Sequence, residues 1–343
     1  MNNQLKQYGI IELHLHLDGS LSPEWIIEWA EKQQIALPTK DIQQLNQYIS
    51  VPADCTDLND YLRCFALPVS LLQTPAALTS AVCDLVERLD KLGLVYAEIR
   101  FAPQLHTRKS MTQEQAVQAA LQGLKQGLAN KTNLFTANLI LCCMRFEDNQ
   151  AQNMETIHLT KQYLGQGVVA ADLAGSENLH PMEYYAAPFE FAKQSRLPFT
   201  LHAGEGAGAE NVAKALDLGA ARIGHGVRAI ENHHVVERLA SQKTPLEMCP
   251  CSNLQTKTVK HLADYPLRTF LQKGIVATLS SDNMTVSNTT IHAQFELLEN
   301  HYQLSQTEAQ QLVRNAIQAA FLSEQDKQAL LAYTQQRYPE LAL

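Results

Sequence analysis

Short apolar segments of strand length alternate along this chain with longer segments whose apolar residues recur at helical spacing. Segments 110–130 and 153–167 are examples of the longer kind. This alternation is typical of βα units that build a parallel sheet. Eight apolar segments predict strands, and they are IIELHLHL (10–17), LVYAEIRFA (94–102), FTANLILCC (135–143), VVAADLAG (168–175), PFTLHAG (198–204), RIGHG (222–226), PLEMCP (245–250) and VATLSSD (276–282).

Eight strands with intervening helices predict an α/β fold, either a (β/α)8 TIM barrel or an open doubly wound sheet. Polar residues favour the barrel, because barrel active sites gather at the carboxyl ends of the strands. Segment 18–80 is long and helical, so we expect extra helices after the first strand, over the barrel mouth. Without an internal repeat or a Pro/Gly-rich hinge, residues 1–343 are expected to form a single domain. The polar residues at predicted strand ends are His14, His16, His202, His225 and Asp282.

Composition and charge narrow the classes of function. The chain is 45% hydrophobic, and its formal net charge of -8 argues against a nucleic-acid partner, which needs a concentrated basic face. No segment approaches the roughly 20 apolar residues of a membrane span, and no signal-peptide stretch is seen, so we expect a cytoplasmic protein without a membrane partner. The cysteine count of 7 is odd and lacks C-x-x-C spacing, so we expect buried thiols rather than disulfides or a thiolate metal site.

The first motif, IELHLHLD, alternates polar residues with leucines. Glu12, His14, His16 and Asp18 therefore project from one face of a strand. Two imidazoles one pleat apart can share a metal ion, although a pair of structural histidines has the same spacing. The motif alone leaves both interpretations open.

Three further motifs end predicted strands with polar residues. In LHAGEGAG, His202 is followed by Glu205, a carboxyl group placed either to act as a general acid or to open the next helix. In RIGHG, His225 lies between glycines, where the backbone can approach a ligand or simply turn. ATLSSDN ends in Asp282, which is either a metal ligand or a turn-forming aspartate.

These weak signals coincide at the ends of the first, fifth, sixth and eighth predicted strands, which turn chemistry alone does not explain. Imidazoles together with one carboxylate form a nitrogen and oxygen ligand set that suits zinc better than iron, manganese or cobalt. A metal held in this way activates water at neutral pH. The residues therefore indicate metal-assisted hydrolysis.

Seven motifs together resemble the adenosine deaminase family. HLHLDGS, LVYAEIRFAPQLH, VVAADLAGSE, LHAGE, RIGHG, LEMCPCSN and LSSDN occur in the family's order. The resemblance implies a (β/α)8 barrel that holds one Zn²⁺ per chain and deaminates adenosine and 2′-deoxyadenosine hydrolytically, giving inosine or deoxyinosine and ammonia in purine salvage. The implied metal ligands are His14, His16, His202 and Asp282.

The resemblance also implies roles around a purine nucleoside, a small-molecule partner. Glu205 is expected to protonate N1 of the purine, and His225 to orient the attacking water and help to deprotonate it. Gly175 matches the family glycine whose backbone contacts N3, and Asp18 matches the carboxylate that holds a ribose hydroxyl. Asn283 stands at the family position that donates a hydrogen bond to N7. The sequence does not indicate an oligomeric state. A helical stripe matches the helix that closes over the substrate, although plain core packing would give the same spacing. It consists of Leu58, Tyr61, Leu62 and Phe65.

Departures from the family pattern affect base recognition rather than the metal set. Asn283 and Ser176 stand where the family usually has acidic residues, and Ser280 and Ser281 where it has Asn-Thr. A deaminase of adenine or of another 6-aminopurine nucleoside therefore remains an alternative. So does a metal-binding barrel without activity, although Glu205 and His225, an acid and a base beside an open metal position, argue against it.

Two other classes of metal-dependent hydrolase fit the residues poorly. A binuclear amidohydrolase normally bridges its metals with a lysine on the fourth strand, and VVAADLAG contains none. The zinc site of the cytidine-deaminase type needs H-x-E and P-C-x-x-C, and neither pattern occurs.

Overall fold

The computed structural model describes residues 4–343, so the first three residues of the expected 1–343 domain lie outside the described part. Each of the eight predicted strands is confirmed, seven of them in a shorter form and the third at the same length but shifted by one residue. The strands are β1 (Ile11–His16), β2 (Tyr96–Phe101), β3 (Thr136–Met144), β4 (Val168–Ala174), β5 (Thr200–Ala203), β6 (Arg222–His225), β7 (Leu246–Met248) and β8 (Ala277–Leu279).

The strands form two parallel four-stranded sheets, β1-β2-β3-β4 and β5-β6-β7-β8, which join at both edges. A parallel bridge between Ala171 and Phe199 connects β4 to the start of β5. At the other edge the amide of His16 donates to the Asp282 carbonyl at 2.8 Å, and the Asp282 amide donates to the His14 carbonyl at 2.9 Å. The sheet therefore closes into the predicted barrel, and the open doubly wound alternative is wrong.

The helices alternate with the strands after β2, as expected for βα units. The predicted helix at 110–130 is observed as Gln113–Ala129, where Thr112 and Gln115 form a capping box. The predicted helix at 153–167 is observed as Gln150–Tyr163. Gly165, which follows it, has a φ of +76° that an α-helix does not accommodate. The helices are α1 (Pro23–Gln33), α2 (Ile42–Ile49), α3 (Leu58–Leu62), α4 (Ala66–Leu71), α5 (Pro75–Lys91), α6 (Gln113–Ala129), α7 (Gln150–Tyr163), α8 (Ala186–Gln194), α9 (Ala209–Leu218), α10 (His233–Gln242), α11 (Pro250–Gln255), α12 (Leu267–Gln272), α13 (Ile291–Tyr302), α14 (Gln306–Ala319) and α15 (Glu324–Arg337).

The expected extra helices between β1 and β2 are α1 to α5. Asp57 caps α3 by accepting from the amides of Asn59 and Asp60. A 3-10 helix, Arg63–Phe65, continues directly from α3. Both short helices line the cavity at the carboxyl ends of the strands, which confirms that this segment covers the barrel mouth.

The apolar core runs from Leu5 to Leu341, but a buried ionic network fills part of the barrel interior. Arg100 contacts Asp172 at 3.0 Å and Glu247 at 2.8 Å. Arg222 contacts Glu247 and Glu98, each at 2.6 Å. Since all five side chains are buried, the mutual pairing compensates their loss of hydration.

The structure tests the expectation that the cysteines are buried thiols without disulfide bonds. All seven cysteines are free. Four of them, Cys55, Cys142, Cys143 and Cys249, are buried, but the other three are only half-buried, so the expectation of burial is wrong for those three.

Within residues 4–343, no single helix is long and apolar enough to cross a membrane. One pair, Leu58–Leu71 with Pro75–Lys91, reaches that length and apolarity jointly, with a bend of 119° between its parts.

Candidate active site

A cavity of about 550 Å³ opens at the carboxyl ends of the strands. Of the thirteen residues expected at the site, all except His14 line its wall. His14 is fully buried beneath the cavity, and its ring centroid lies 4.6 Å from that of His202. The expected residues on the wall are His16, Asp18, Leu58, Tyr61, Leu62, Phe65, Gly175, His202, Glu205, His225, Asp282 and Asn283.

The four expected metal ligands converge on one point. The Nε2 atoms of His16 and His202 face each other at 3.3 Å. Asp282 Oδ1 lies 3.4 Å from His16 Nε2 and 3.6 Å from His14 Nε2. Ligand atoms arranged tetrahedrally at roughly 2.0–2.1 Å from a zinc ion are about 3.3 Å apart. The donor set therefore has the spacing of a metal site.

Two buried carboxylates orient the histidines from behind. His14 Nδ1 lies 2.7 Å from Glu247 Oε2, and His202 Nδ1 lies 3.0 Å from Asp172 Oδ2. With Nδ1–H donated to a carboxylate, each ring presents the Nε2 lone pair to the centre. His14 Nε2 is buried and has no hydrogen-bond partner among residues 4–343, as a metal-ligating nitrogen would be in a structure without ions.

The sequence analysis missed these two carboxylates. Burial opposes ionisation of Glu247, but Arg100 and Arg222 outweigh it and hold the pKa of Glu247 well below its usual range. Burial acts in the same way on Asp172, whose pKa is nevertheless lowered by His202 and Arg100. A signal was present in the sequence, since a charged residue inside an apolar strand segment requires a buried partner.

The surroundings of Glu205 favour the protonated form of its carboxyl group. Burial raises the pKa of Glu205 well above its usual value, and the carboxylates of Asp282 and Glu177 raise it further against the opposing charge of Arg145. Its Oε2 lies 3.6 Å from His225 Nε2. The Glu205 carboxyl group therefore faces the cavity beside the expected metal ligands, in surroundings that favour its protonated form.

Glu177, a third carboxylate that sequence analysis missed, holds the loop that carries Glu205. One carboxylate oxygen accepts from the Gly204 amide at 2.7 Å and from Asn211 Nδ2 at 2.9 Å. The other accepts from the amides of Glu205, Gly206 and Ala207 at 2.9, 2.8 and 3.1 Å. Since Glu177 follows β4 and the loop follows β5, only the barrel brings them together.

Backbone geometry marks two site residues as constrained. His225 and Asp282 have φ values of +61° and +64°, in the left-handed region that side chains other than glycine seldom occupy. Gly224 has a steric function, because a Cβ there would lie 3.1 Å from His14 Cε1 and 3.2 Å from the His202 Cα. Gly224 of RIGHG thus gives space to the side chains of His14 and His202.

The expected substrate-binding residues line the same cavity as Glu205. Burial raises the pKa of Asp18 to about 6. Gly175 has a φ of +101°, a conformation that glycine adopts without strain. Ser176, where the family usually has an acidic residue, donates to Asn59 Oδ1 at 2.7 Å and so ties the loop after β4 to α3.

Tyr61 belongs to the apolar stripe, and its hydroxyl also forms two buried polar contacts. Its hydroxyl lies 2.6 Å from Ser287 Oγ and accepts from Asn283 Nδ2 at 2.9 Å. Asn283 Oδ1 is buried and has no partner among residues 4–343. The Asn283 amide group that is expected to donate to N7 therefore donates to Tyr61 in this structure. A half-turn of the amide would let Tyr61 donate to its oxygen and free the donor for the cavity.

Comparison with known proteins agrees with this geometry. Residues 10–336 match the family model described as adenosine deaminase. An adenosine deaminase of Haemophilus ducreyi is 64% identical over 340 residues, which cover 98% of each chain. One of Enterococcus faecalis is 42% identical over 336 residues, again 98% of each chain. The chain belongs to the adenosine deaminase family.

This member of the adenosine deaminase family also has the same fold as a solved structure of a similar protein. The crystal structure of an adenine deaminase from Arthrobacter aurescens has a TM-score of 0.86 and 29% identity, over 96% of this chain and 99% of that one. The barrel predicted from the alternating segments and the family inferred from the seven motifs are both confirmed. The groups of described residues that could hold a metal include His14, His16 and Asp282.

Proposed function

We propose that this protein catalyses the zinc-dependent hydrolytic deamination of adenosine and 2′-deoxyadenosine to inosine or deoxyinosine and ammonia, in purine salvage. One observation carries the proposal. A carboxyl group of raised pKa, Glu205, faces the same cavity as four converging metal-ligand atoms. A purely structural metal site has no use for an acid beside it.

The proposed metal ligands are His14, His16, His202 and Asp282, which hold one Zn²⁺ per chain. The support is chemical: three imidazole nitrogens and one carboxylate oxygen, spaced as a zinc ion requires, with an unpartnered His14 Nε2 in the group. When bound, the metal supplies Lewis-acid activation of the attacking water.

Glu205 supplies the proton that the purine needs. As the water oxygen bonds to C6, ring aromaticity is lost, and protonation of N1 by Glu205 prevents a full negative charge from forming on the ring. Cleavage of the C6–N6 bond then releases ammonia: of the two protons of the attacking water, one completes the leaving amino group as NH3 and the other restores the Glu205 carboxyl group. His225, 3.6 Å from Glu205, orients the attacking water.

The remaining wall residues are proposed to bind the nucleoside. Asp18 accepts from a ribose hydroxyl, the Gly175 backbone contacts N3, and Asn283 donates to N7 once its amide has turned away from Tyr61. The support is that these three residues line one cavity with Glu205. The apolar stripe of α3 and the following 3-10 helix covers the base, and it consists of Leu58, Tyr61, Leu62 and Phe65.

Adenine is the competing substrate, because a similar solved structure is an adenine deaminase. Incubation with adenosine, 2′-deoxyadenosine and adenine in parallel, followed by ultraviolet absorbance and ammonia release, decides between them. We expect turnover of both nucleosides and little of adenine. Turnover of adenine alone would refute the proposed substrate, and turnover of none would refute the proposed function.

Several wider expectations stay predictions. We propose that residues 1–343 form one domain, supported by a core cluster that includes residues from both ends of the described chain. A purine nucleoside is the proposed partner, with no nucleic acid or membrane. The cytoplasmic location also stays a prediction.

A further inference from the structure

His225 makes a buried contact on the side of its ring that faces away from Glu205. Asn253 Nδ2 lies 3.0 Å from His225 Nδ1. Asn253 belongs to α11, which follows β7, and both side chains are almost completely excluded from solvent. The contact therefore has no competing water, and its polarity fixes which ring nitrogen carries a proton.

The orientation of the Asn253 amide is itself fixed by a buried tyrosine. The Tyr265 hydroxyl donates to Asn253 Oδ1 at 3.0 Å. Burial raises the pKa of Tyr265 well above its usual value, and a hydrogen bond from the backbone of Cys249 to the same hydroxyl opposes that rise. With Asn253 Oδ1 accepting from the Tyr265 hydroxyl, the NH2 group at the other end of the same amide faces His225.

A donor at Nδ1 requires that this nitrogen carry a lone pair. The neutral imidazole of His225 must therefore bear its single proton on Nε2, the nitrogen that faces Glu205 and the metal-ligand set. A doubly protonated ring would place two N–H groups against each other at the Asn253 contact.

We propose that Asn253 and Tyr265 are positioning residues that hold His225 as the Nε2–H tautomer, so that His225 donates a hydrogen bond to the attacking oxygen and accepts no proton there. The orienting part of this inference rests on the proposed function; the tautomer does not. The resemblance implied that His225 also helps to deprotonate the water, and the Nε2–H form lacks the lone pair for that step.

The tautomer also separates His225 from the metal ligands. His225 lies close enough to His14 and His202 to complete a three-histidine group. A ring with Nδ1 occupied by Asn253 and a proton on Nε2 has no lone pair to give to a metal. The fourth ligand must therefore be another residue, and Asp282 is the one 3.6 Å from His14 Nε2.

The direct test is the nitrogen spectrum of His225 in zinc-loaded protein labelled with ¹⁵N-histidine, recorded without substrate. Long-range ¹H–¹⁵N correlation distinguishes a protonated ring nitrogen from a bare one, and the His225→Gln spectrum identifies the signals. We expect a protonated Nε2 and a bare Nδ1. The opposite pattern, or a doubly protonated ring at neutral pH, overturns the proposal.

Asn253→Asp inverts the polarity of the contact with almost no change of shape, because an ionised carboxylate only accepts hydrogen bonds. We expect the proton to move to Nδ1 and kcat to fall about 10²-fold, as for the loss of one transition-state donor, with little change in KM. Tyr265→Phe frees the amide to turn and should give a mixture of tautomers with a smaller loss of kcat. Asn232→Asp is the control, since it adds the same charge at the N-cap of α10 and aspartate caps equally well.

Two outcomes for Asn253→Asp would contradict the proposal: an unchanged His225 spectrum, or a moved proton with unchanged kcat. If the variant does not fold, the wild-type spectrum still decides the tautomer. Failure of the wild-type protein to deaminate adenosine would refute the proposed function while leaving the tautomer measurement intact. The two proposals can therefore fail separately.

Discussion

Replacing Glu177 by glutamine tests whether one carboxylate builds the loop that carries the proposed acid. Glu177 is buried and accepts five hydrogen bonds, four from the backbone amides of residues 204–207 and one from Asn211. A glutamine oxygen can retain the three donors on one side. Its NH2 then faces two donors, the Gly204 amide and Asn211 Nδ2, so both hydrogen bonds are lost.

The expected loss of stability follows from those two contacts. A hydrogen bond to a charged group contributes roughly 1.5–3 kcal/mol, so the free energy of unfolding should fall by about 3 kcal/mol or more. At roughly 2 °C per kcal/mol for a large domain, Tm should fall by about 6 °C or more. Because Glu205 lies on the displaced loop, and a misplacement of about 1 Å can cost 10²-fold, kcat should fall by up to that factor.

Urea unfolding followed by circular dichroism, together with steady-state kinetics on adenosine, measures both effects. Glu210→Gln is the matched control, because the same substitution at an exposed position next to this loop should change stability by less than about 1 kcal/mol. If Glu177→Gln unfolds at the same urea concentration as Glu210→Gln and retains wild-type kcat, Glu177 does not stabilise the loop that carries Glu205.

The other predictions concern the metal, the acid and the base contact. Elemental analysis should find one zinc per chain, and His16→Ala should lose metal and activity together; two metals per wild-type chain would contradict the ligand set. Glu205→Gln should keep the metal but lose on the order of 10²-fold or more of turnover. Since the pKa of Glu205 is raised and its protonated form is the donor, wild-type activity should be present below that pKa and lost as the pH rises through it, so an alkaline limb that persists in Glu205→Gln would rule out this assignment. Asn283→Ala should cost roughly 1–3 kcal/mol in kcat/KM for adenosine. The variant should also penalise 7-deazaadenosine less than the wild type does, and equal discrimination by both proteins would show that Asn283 does not contact N7.

Features encoded within one short segment could be predicted from the sequence. The eight strands follow from short apolar segments, and Glu12, His14 and His16 share a face because strand side chains alternate. The polar residues at strand ends meet because a closed parallel barrel brings all carboxyl ends to one rim. Local pattern and a general rule of the fold were sufficient to place these polar residues at one rim, and the resemblance to the adenosine deaminase family implied which of them hold a metal and which acts as the acid.

Only the tertiary structure determines which buried side chains form hydrogen bonds with those residues. Glu247 lies 233 positions from the His14 that it orients, and Asn253 lies 28 positions from His225. Tyr61 looked apolar in its helical stripe, yet its hydroxyl meets Asn283, 222 positions away. Hydrogen-bond partners of this kind have no periodicity or spacing in the sequence, because closure of the barrel and the packing of its loops alone determine which buried donor meets which acceptor.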